Sequence, residues 1–171
     1  MYKRLMELVI YPHGAAHWRD HEFRCALGRS GVSENKAEGD GATPCGIIKP
    51  RKILYRADRL SAPEAVLPVE AIQPDDGWCD APEDADYNRQ VEFPHDASCE
   101  ALWRDDHIYD LVAVTSYNET PIIPGKGSAI FIHLAREGYS ETAGCIAFLE
   151  ADLRLILAYI RPGDMIRVCA S

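Results

Sequence analysis

Apolar residues occur along the chain in short runs separated by polar turns, a pattern that indicates many short strands. Residues 109–117 (YDLVAVTSY) form the run richest in β-branched residues and predict a central strand. The runs 129–132 and 146–149 predict neighbouring strands buried on both faces. Further strands are predicted within residues 7–11, 18–27, 47–55, 69–72, 87–93 and 165–169.

One segment near the C-terminus has helical periodicity instead. Leu149, Leu153, Ile156, Leu157 and Ile160 recur at intervals that form one face of a helix, predicted over Glu150–Tyr159 and ended by the Pro-Gly pair at 162–163. Residues 97–103 allow a short helical turn. Many strands with one clear helix and small helical turns predict a mainly β domain of mixed sandwich or barrel type.

Two long segments are predicted to be loops. Residues 29–46 are rich in Gly, which indicates tight turns or, equally, a shaped wall beside a site. Residues 74–86 (PDDGWCDAPEDAD) contain six carboxylates in irregular order and predict a solvated acidic loop, with Trp78 and Cys79 anchoring it to the core. This order does not match the ligand spacing of an EF-hand.

Length and charge limit the classes of protein. A chain of 171 residues predicts one domain over residues 1–171, and nothing in it predicts an oligomer, so a monomer is expected. The formal net charge of −9 argues against a nucleic-acid partner. No apolar run approaches the ~20 residues of a membrane-spanning helix. The N-terminal segment MYKRLMELVIYPHG is not typical of a signal peptide, because Glu7 interrupts its apolar part.

The sequence predicts neither a metal site nor a cofactor. The six cysteines are widely spaced and form no C-x-x-C pair. His13, His17 and His21 are four residues apart, but on predicted strands such residues lie ~13 Å apart, too far to share one ion. They are interpreted as exposed hairpin histidines, and activity is expected to need no metal.

Candidate chemistry is concentrated between residues 125 and 149. His133 is predicted at the end of one apolar strand, and Cys145 at the start of the next. A thiol needs a nearby base or cation to react at neutral pH, and imidazole is the usual partner. The backbone N–H groups of Gly144 and Cys145 are predicted to stabilise an oxyanion.

These residues carry a family resemblance. His133 followed by Thr142-x-Gly144-Cys145 resembles the signature of the YkuD-type L,D-transpeptidase catalytic domain, in which His precedes a Ser/Thr-x-Gly-Cys turn. The flanking segments 39–44 (GDGATP) and 163–168 (GDMIRV) are similar as well, so the resemblance covers roughly residues 22–169. The chain departs from the family at Ala143, where His is usual, and at Ala147, where Arg or Asn is usual.

The resemblance implies a mixed β-sandwich-like fold and a function. Cys145 would be the nucleophile and His133 the base, with a backbone carbonyl orienting the imidazole. The partner would be a peptidoglycan tetrapeptide stem in the cell envelope, cut after its diamino acid and cross-linked to a second stem through a thioester. Thr142, Ala143 and Arg136 would contact the substrate, Arg136 (or, less well placed, Lys126) supplying the cation missing at position 147. A hydrolase with the same Cys–His pair, or a non-catalytic wall-binding module, are the alternatives.

Overall fold

Strands dominate residues 5–170, the part of the chain that this computed structural model describes. The mainly β fold predicted from the sequence is confirmed. Along the chain the strands are β1 (Glu7–Ile10), β2 (Ala15–Trp18), β3 (His21–Arg24), β4 (Val32–Ser33), β5 (Thr43–Pro44), β6 (Gly46–Ile48), β7 (Pro50–Tyr55), β8 (Val69–Ala71), β9 (Asp76–Cys79), β10 (Gln90–Glu92), β11 (Cys99–Ala101), β12 (Leu111–Thr115), β13 (Ile132–Leu134), β14 (Ile146–Phe148) and β15 (Met165–Val168). The described residues contain one α-helix, α1 (Glu150–Tyr159), with the predicted bounds, and one 3₁₀ turn, Glu137–Tyr139.

A central sheet has the strand order β14-β13-β12-β7-β8. Strand β12 lies in its middle and is buried along its whole length, as its β-branched sequence predicts. Strands β13 and β14 are parallel neighbours, and every residue in both is buried. The prediction of adjacent strands covered on both faces is therefore confirmed.

Layers on both sides cover the central sheet. One face packs against α1 and a second sheet, ordered β3-β2-β1-β15-β6, in a core that includes Ile53, Ile132 and Phe148. The opposite face packs against a small antiparallel sheet, β10-β9-β11, where the Trp78 and Phe131 rings meet edge to face at 4.8 Å. The described part of the chain thus forms three β layers with one α-helix.

The small sheet differs from the sequence prediction. Residues 74–86 were expected to form a loop, but β9 occupies residues 76–79 of this segment, where Trp78 and Cys79 are buried. Residues 97–103 were expected to allow a helical turn, but they contain β11, which pairs with β9. Cross-strand pairing and the burial of all four residues of β9 outweigh the local preference of these short segments.

Smaller differences concern strand limits. The strand predicted within residues 18–27 is interrupted by a turn, and its two parts are the end of β2 and the antiparallel β3. The segment 47–55 is likewise split into β6 and β7, which belong to different sheets. Residues 29–46 are mainly loop, as predicted, apart from the two-residue pairing of β4 with β5. His13, His17 and His21 are exposed, as interpreted from the sequence.

Candidate active site

Strand alternation brings His133 and Cys145 to the same face of the central sheet. His133 is the middle residue of β13 rather than its end, and Cys145 immediately precedes β14. His133 pairs in register with Ala147, two residues beyond Cys145. Because strands are ~4.8 Å apart and rise ~3.3 Å per residue, the α-carbons of His133 and Cys145 are separated by roughly 8 Å. Both side chains face the small sheet.

A cavity of about 420 Å³ lies between these layers and is lined by both residues. Its wall includes four basic side chains, Arg29, Lys36, Arg104 and Arg136, and three acidic ones, Glu38, Asp80 and Glu100. Residues of the Gly-rich segment 29–46 form part of the wall. Of its two interpretations from the sequence, tight turns or a wall beside a site, the structure agrees with the second.

The imidazole of His133 is held in a defined orientation. Its Nδ1 lies 2.9 Å from the carbonyl oxygen of Leu134, the backbone carbonyl that the sequence led us to expect. Because a carbonyl only accepts hydrogen bonds, Nδ1 carries the proton and Nε2 offers its lone pair. The Tyr109 ring contacts the imidazole edge to face at 5.3 Å. Burial lowers the pKa of His133 to about 4, so the imidazole is neutral at pH 7.

The Cys145 thiol is also neutral in the resting protein. Its Sγ donates to the Ala129 carbonyl oxygen at 3.0 Å and accepts from the Phe131 N–H at 3.4 Å. Burial, followed by the charge of Glu100, raises the pKa of Cys145 to about 12. The thiol and the imidazole thus line one cavity in their neutral forms, and no hydrogen bond joins them within residues 5–170.

The turn before Cys145 is stabilised by Thr142. Its Oγ1 donates to the Cys145 carbonyl oxygen at 2.6 Å and accepts from the Gly144 N–H at 3.0 Å. The Gly144 N–H and the Thr142 hydroxyl are thus both engaged within the turn, and Thr142 also lines the cavity. The Cys145 N–H has no hydrogen-bond partner within residues 5–170 and remains available to an oxyanion.

Gly144 is required for geometric reasons. Its φ is +140°, and a β-carbon at this position would lie 2.8 Å from the backbone oxygen of Ala42. No other residue fits this close approach between the turn and the Gly-rich segment. Ala143, between Thr142 and Gly144, is exposed and lines the cavity, and its contact with a substrate stays a prediction.

The basic residues considered for binding a substrate carboxylate differ in their ion pairs and in whether they line the cavity. Arg136 lines the cavity, but its guanidinium donates to Asp106 at 3.1 Å, a carboxylate that also pairs with Arg104. Lys126, the other sequence candidate, is not among the cavity-lining residues. Arg29 is exposed, lines the cavity and forms no ion pair with any described residue. Arg29 was not singled out from the sequence, because only its backbone bond to the Thr142 carbonyl (2.9 Å) brings it to the turn.

Two further residues of the cavity wall, Tyr109 and Glu100, are not identified as site residues by the sequence. The Tyr109 hydroxyl donates to Glu100 at 2.8 Å, and its ring packs on both Phe131 and His133. Burial raises the pKa of Glu100 above its ordinary value. No sequence motif marks either residue. Tyr109 precedes an ordinary strand, and Glu100 lies in a segment that was not predicted to be a strand.

A group of metal-ligating side chains lies outside the cavity wall described above. Cys79, His95 and Cys99 place one ligand atom each within 4.8 Å of the others, and Asp84 and Asp86 do the same around His95. No sequence motif marks this group, because its cysteines are brought together by the unpredicted pairing of β9 with β11.

The chain matches the YkuD family of L,D-transpeptidase catalytic domains over residues 3–168. The match covers nearly the whole sequence, and the chain belongs to this family. Among solved structures, that of Bdellovibrio bacteriovorus Bd1075 is similar, with a TM-score of 0.49 and 14% sequence identity over 96% of this chain and 47% of that one. The chain thus spans about half the length of that protein. No curated protein matches it.

Replacing Thr142 should test the turn. We expect Thr142→Val to lower the free energy of unfolding by about 1–3 kcal/mol, because the Gly144 N–H and the Cys145 carbonyl lose their buried partner. Thr142→Ser keeps the hydroxyl and should lose much less. Urea unfolding of both variants measures the difference, and equal losses would contradict the role of Oγ1.

The His133 ring should titrate far below an ordinary histidine. A neutral buried imidazole has a folded-state pKa of about 4 against about 6.5 when unfolded, so stability is lost as pH falls between these values, by up to ~3 kcal/mol. NMR titration of the His133 ring in the folded protein should give a midpoint near pH 4. A midpoint near 6.5 would contradict the burial argument.

Proposed function

We propose that the protein is a cysteine acyltransferase that acts on peptidoglycan stem peptides in the cell envelope. The observation that carries this proposal is the meeting of Cys145 and His133 in one cavity of a chain that belongs to the L,D-transpeptidase family. The donor is a tetrapeptide stem cut after its diamino acid, and the acceptor is the side-chain amine of a second stem. Within the described residues, no helix is long and apolar enough to cross a membrane.

The reaction begins from the neutral pair. As Sγ attacks the donor carbonyl carbon, His133 Nε2 takes the thiol proton, and the S–H···O bond to Ala129 is broken. His133 then returns this proton to the leaving D-Ala amine while the C–N bond breaks. The thioester is attacked by the acceptor amine, whose proton passes through His133 back to Sγ, and an amide cross-link is released.

The oxyanion is stabilised by the turn. The Cys145 N–H is the free backbone donor at the nucleophile, whereas the Gly144 N–H supports the turn through Thr142. The cavity wall carries both acidic and basic side chains, which is compatible with a stem peptide that has an ammonium group and a carboxylate. The carboxylates of Asp80 and Glu100 favour an ammonium group, and the Asp80 Oδ1 is buried without a hydrogen-bond partner among the described residues.

Arg29 is the side chain best placed to bind the substrate carboxylate. Ala147 offers no donor, and Arg136 shares Asp106 with Arg104. A guanidinium without a competing carboxylate binds a substrate carboxylate through two parallel hydrogen bonds. Arg136 then borders the cavity as part of a charge cluster.

Cys145→Ala should abolish turnover and leave the fold intact, because it removes only the nucleophile. The assay is incubation of purified protein with a defined tetrapeptide stem, followed by mass analysis of the products. Cys45→Ala is the matched control, since Cys45 does not line the cavity, and it should retain activity. Turnover by Cys145→Ala close to that of the parent would contradict the assignment.

The products also distinguish the reactions available to this pair. A cross-linked dimer supports the transferase. A shortened monomer alone would show that water replaces the acceptor amine. An unchanged stem that still binds would show a wall-binding module.

Arg29→Ala should raise KM for stems with a free terminal carboxylate by roughly 10–100-fold, the loss of one charge-assisted contact, with little change in kcat. Amidated stems should be affected much less. Arg136→Ala is the control of equal charge and should have the smaller effect. A larger effect from Arg136→Ala, or no difference between the two stems for either variant, would contradict the role of Arg29.

A further inference from the structure

Two thiols and an imidazole converge on the face of the small sheet opposite the cavity. Cys79 on β9 and Cys99 on β11 are register partners, and side chains on this face alternate with those of Trp78 and Glu100, which point to the central sheet and cavity. His95 lies in the loop before β11, with its Nδ1 3.4 Å from Cys99 Sγ. Cys79 is fully buried, and the other two residues are partly buried.

From this arrangement we propose that Cys79, Cys99 and His95 bind one zinc ion. Zinc prefers thiolate sulfur and imidazole nitrogen, and tetrahedral bonds of ~2.3 and ~2.0 Å separate neighbouring S and N ligands by about 3.5 Å. The three ligand atoms lie within 4.8 Å of one another, so small side-chain movements complete the geometry. Solvent supplies the fourth ligand.

The surroundings of His95 fit a metal ligand. Its Nε2 lies 3.4 Å from a carboxylate oxygen of Asp86, so that Nε2 carries the proton and Nδ1 offers its lone pair towards the thiols. A carboxylate on the second nitrogen is the usual partner of a zinc-bound imidazole. In the structure Nδ1 accepts a bond from the Ala97 N–H at 3.2 Å, and the metal takes the place of that donor.

A disulfide is the competing outcome for the two cysteines. The adjacent pair, Asp80 and Ser98, is hydrogen-bonded at 3.1 Å, so Cys79 and Cys99 occupy non-hydrogen-bonded positions, where α-carbons lie about 4.5 Å apart. That spacing is at the short end of the range for disulfides. A disulfide would also leave the alignment of His95 and Asp86 without a role, which favours zinc.

Zinc at this position would fasten the His95 loop to β9 and β11, the strands that present Trp78 and Glu100 to the rest of the molecule. Its effect is therefore on the stability of the small sheet. The acyl-transfer steps proposed for Cys145 and His133 do not pass through the metal, so failure of one proposal does not affect the other.

The test uses the full chain, reduced and freed of metal with a chelator, and titrated with Zn²⁺ alone. One equivalent should bind, and Tm should rise by roughly 5–10 °C when free zinc is 100 times Kd. Co²⁺ in place of zinc should give a thiolate-to-metal charge-transfer absorption band. The same stoichiometry and band should persist in Cys45→Ala and Cys145→Ala, which remove thiols from other places.

The ligand variants decide between zinc and the alternatives. Cys99→Ala and His95→Ala should lose the charge-transfer band and the zinc-dependent rise in Tm, with metal-free circular dichroism like that of the parent as a check of folding. Asp86→Asn should still bind, but about 10–100-fold more weakly. The proposal would be overturned if Cys99→Ala still bound zinc, or if only Cys145→Ala lost zinc binding. It would also be overturned if the reduced parent protein bound no zinc and the same protein formed a Cys79–Cys99 disulfide on exposure to air.

Discussion

Burial of the central sheet on both faces is the constraint on which the candidate site depends. Because β13 and β14 are short, parallel and covered on each side, every second side chain faces the helix-bearing layer and the others face the small sheet. Ile132 and Ile146 take the first direction, so His133 and Cys145 must take the second. A one-residue slip of either strand would separate the two.

The same burial determines the charge state of the site. In a low-dielectric environment a neutral thiol and a neutral imidazole are more stable than a thiolate and an imidazolium, and the pKa directions of Cys145 and His133 reflect this. The Leu134 carbonyl selects the tautomer that leaves Nε2 unprotonated. A neutral thiol is a weaker nucleophile than a thiolate, so the proposed reaction begins with removal of the Cys145 proton.

Much of the architecture was predictable from sequence because it follows from hydrophobic periodicity. Strand β12, the paired β13 and β14, and α1 all have patterns that tertiary packing reinforces. Strand β10 lies within the strand predicted at residues 87–93, but β9 and β11 were not predictable. The β9 segment is rich in carboxylates and β11 (CEA) has no apolar run, so pairing with each other decides their conformation. The group formed by Cys79, His95 and Cys99 was missed for this reason.

The site was predictable to a similar degree. The spacing of His133 and the Thr142–Cys145 turn indicated a Cys–His pair, and a backbone carbonyl for the imidazole was anticipated. The engagement of the Gly144 N–H by Thr142 depends on side-chain orientation, and the approach of Arg29 depends on a long-range backbone contact. Neither follows from local sequence.

The central claim is that Cys145 forms a covalent thioester with the donor stem. Intact-protein mass measurement during reaction with a tetrapeptide stem, without acceptor, tests it most directly. The account predicts an adduct with the mass of the donor acyl group, sensitive to hydroxylamine and located on Cys145 by peptide mapping. Turnover without any adduct under rapid quenching, or an adduct confined to another cysteine, would contradict it.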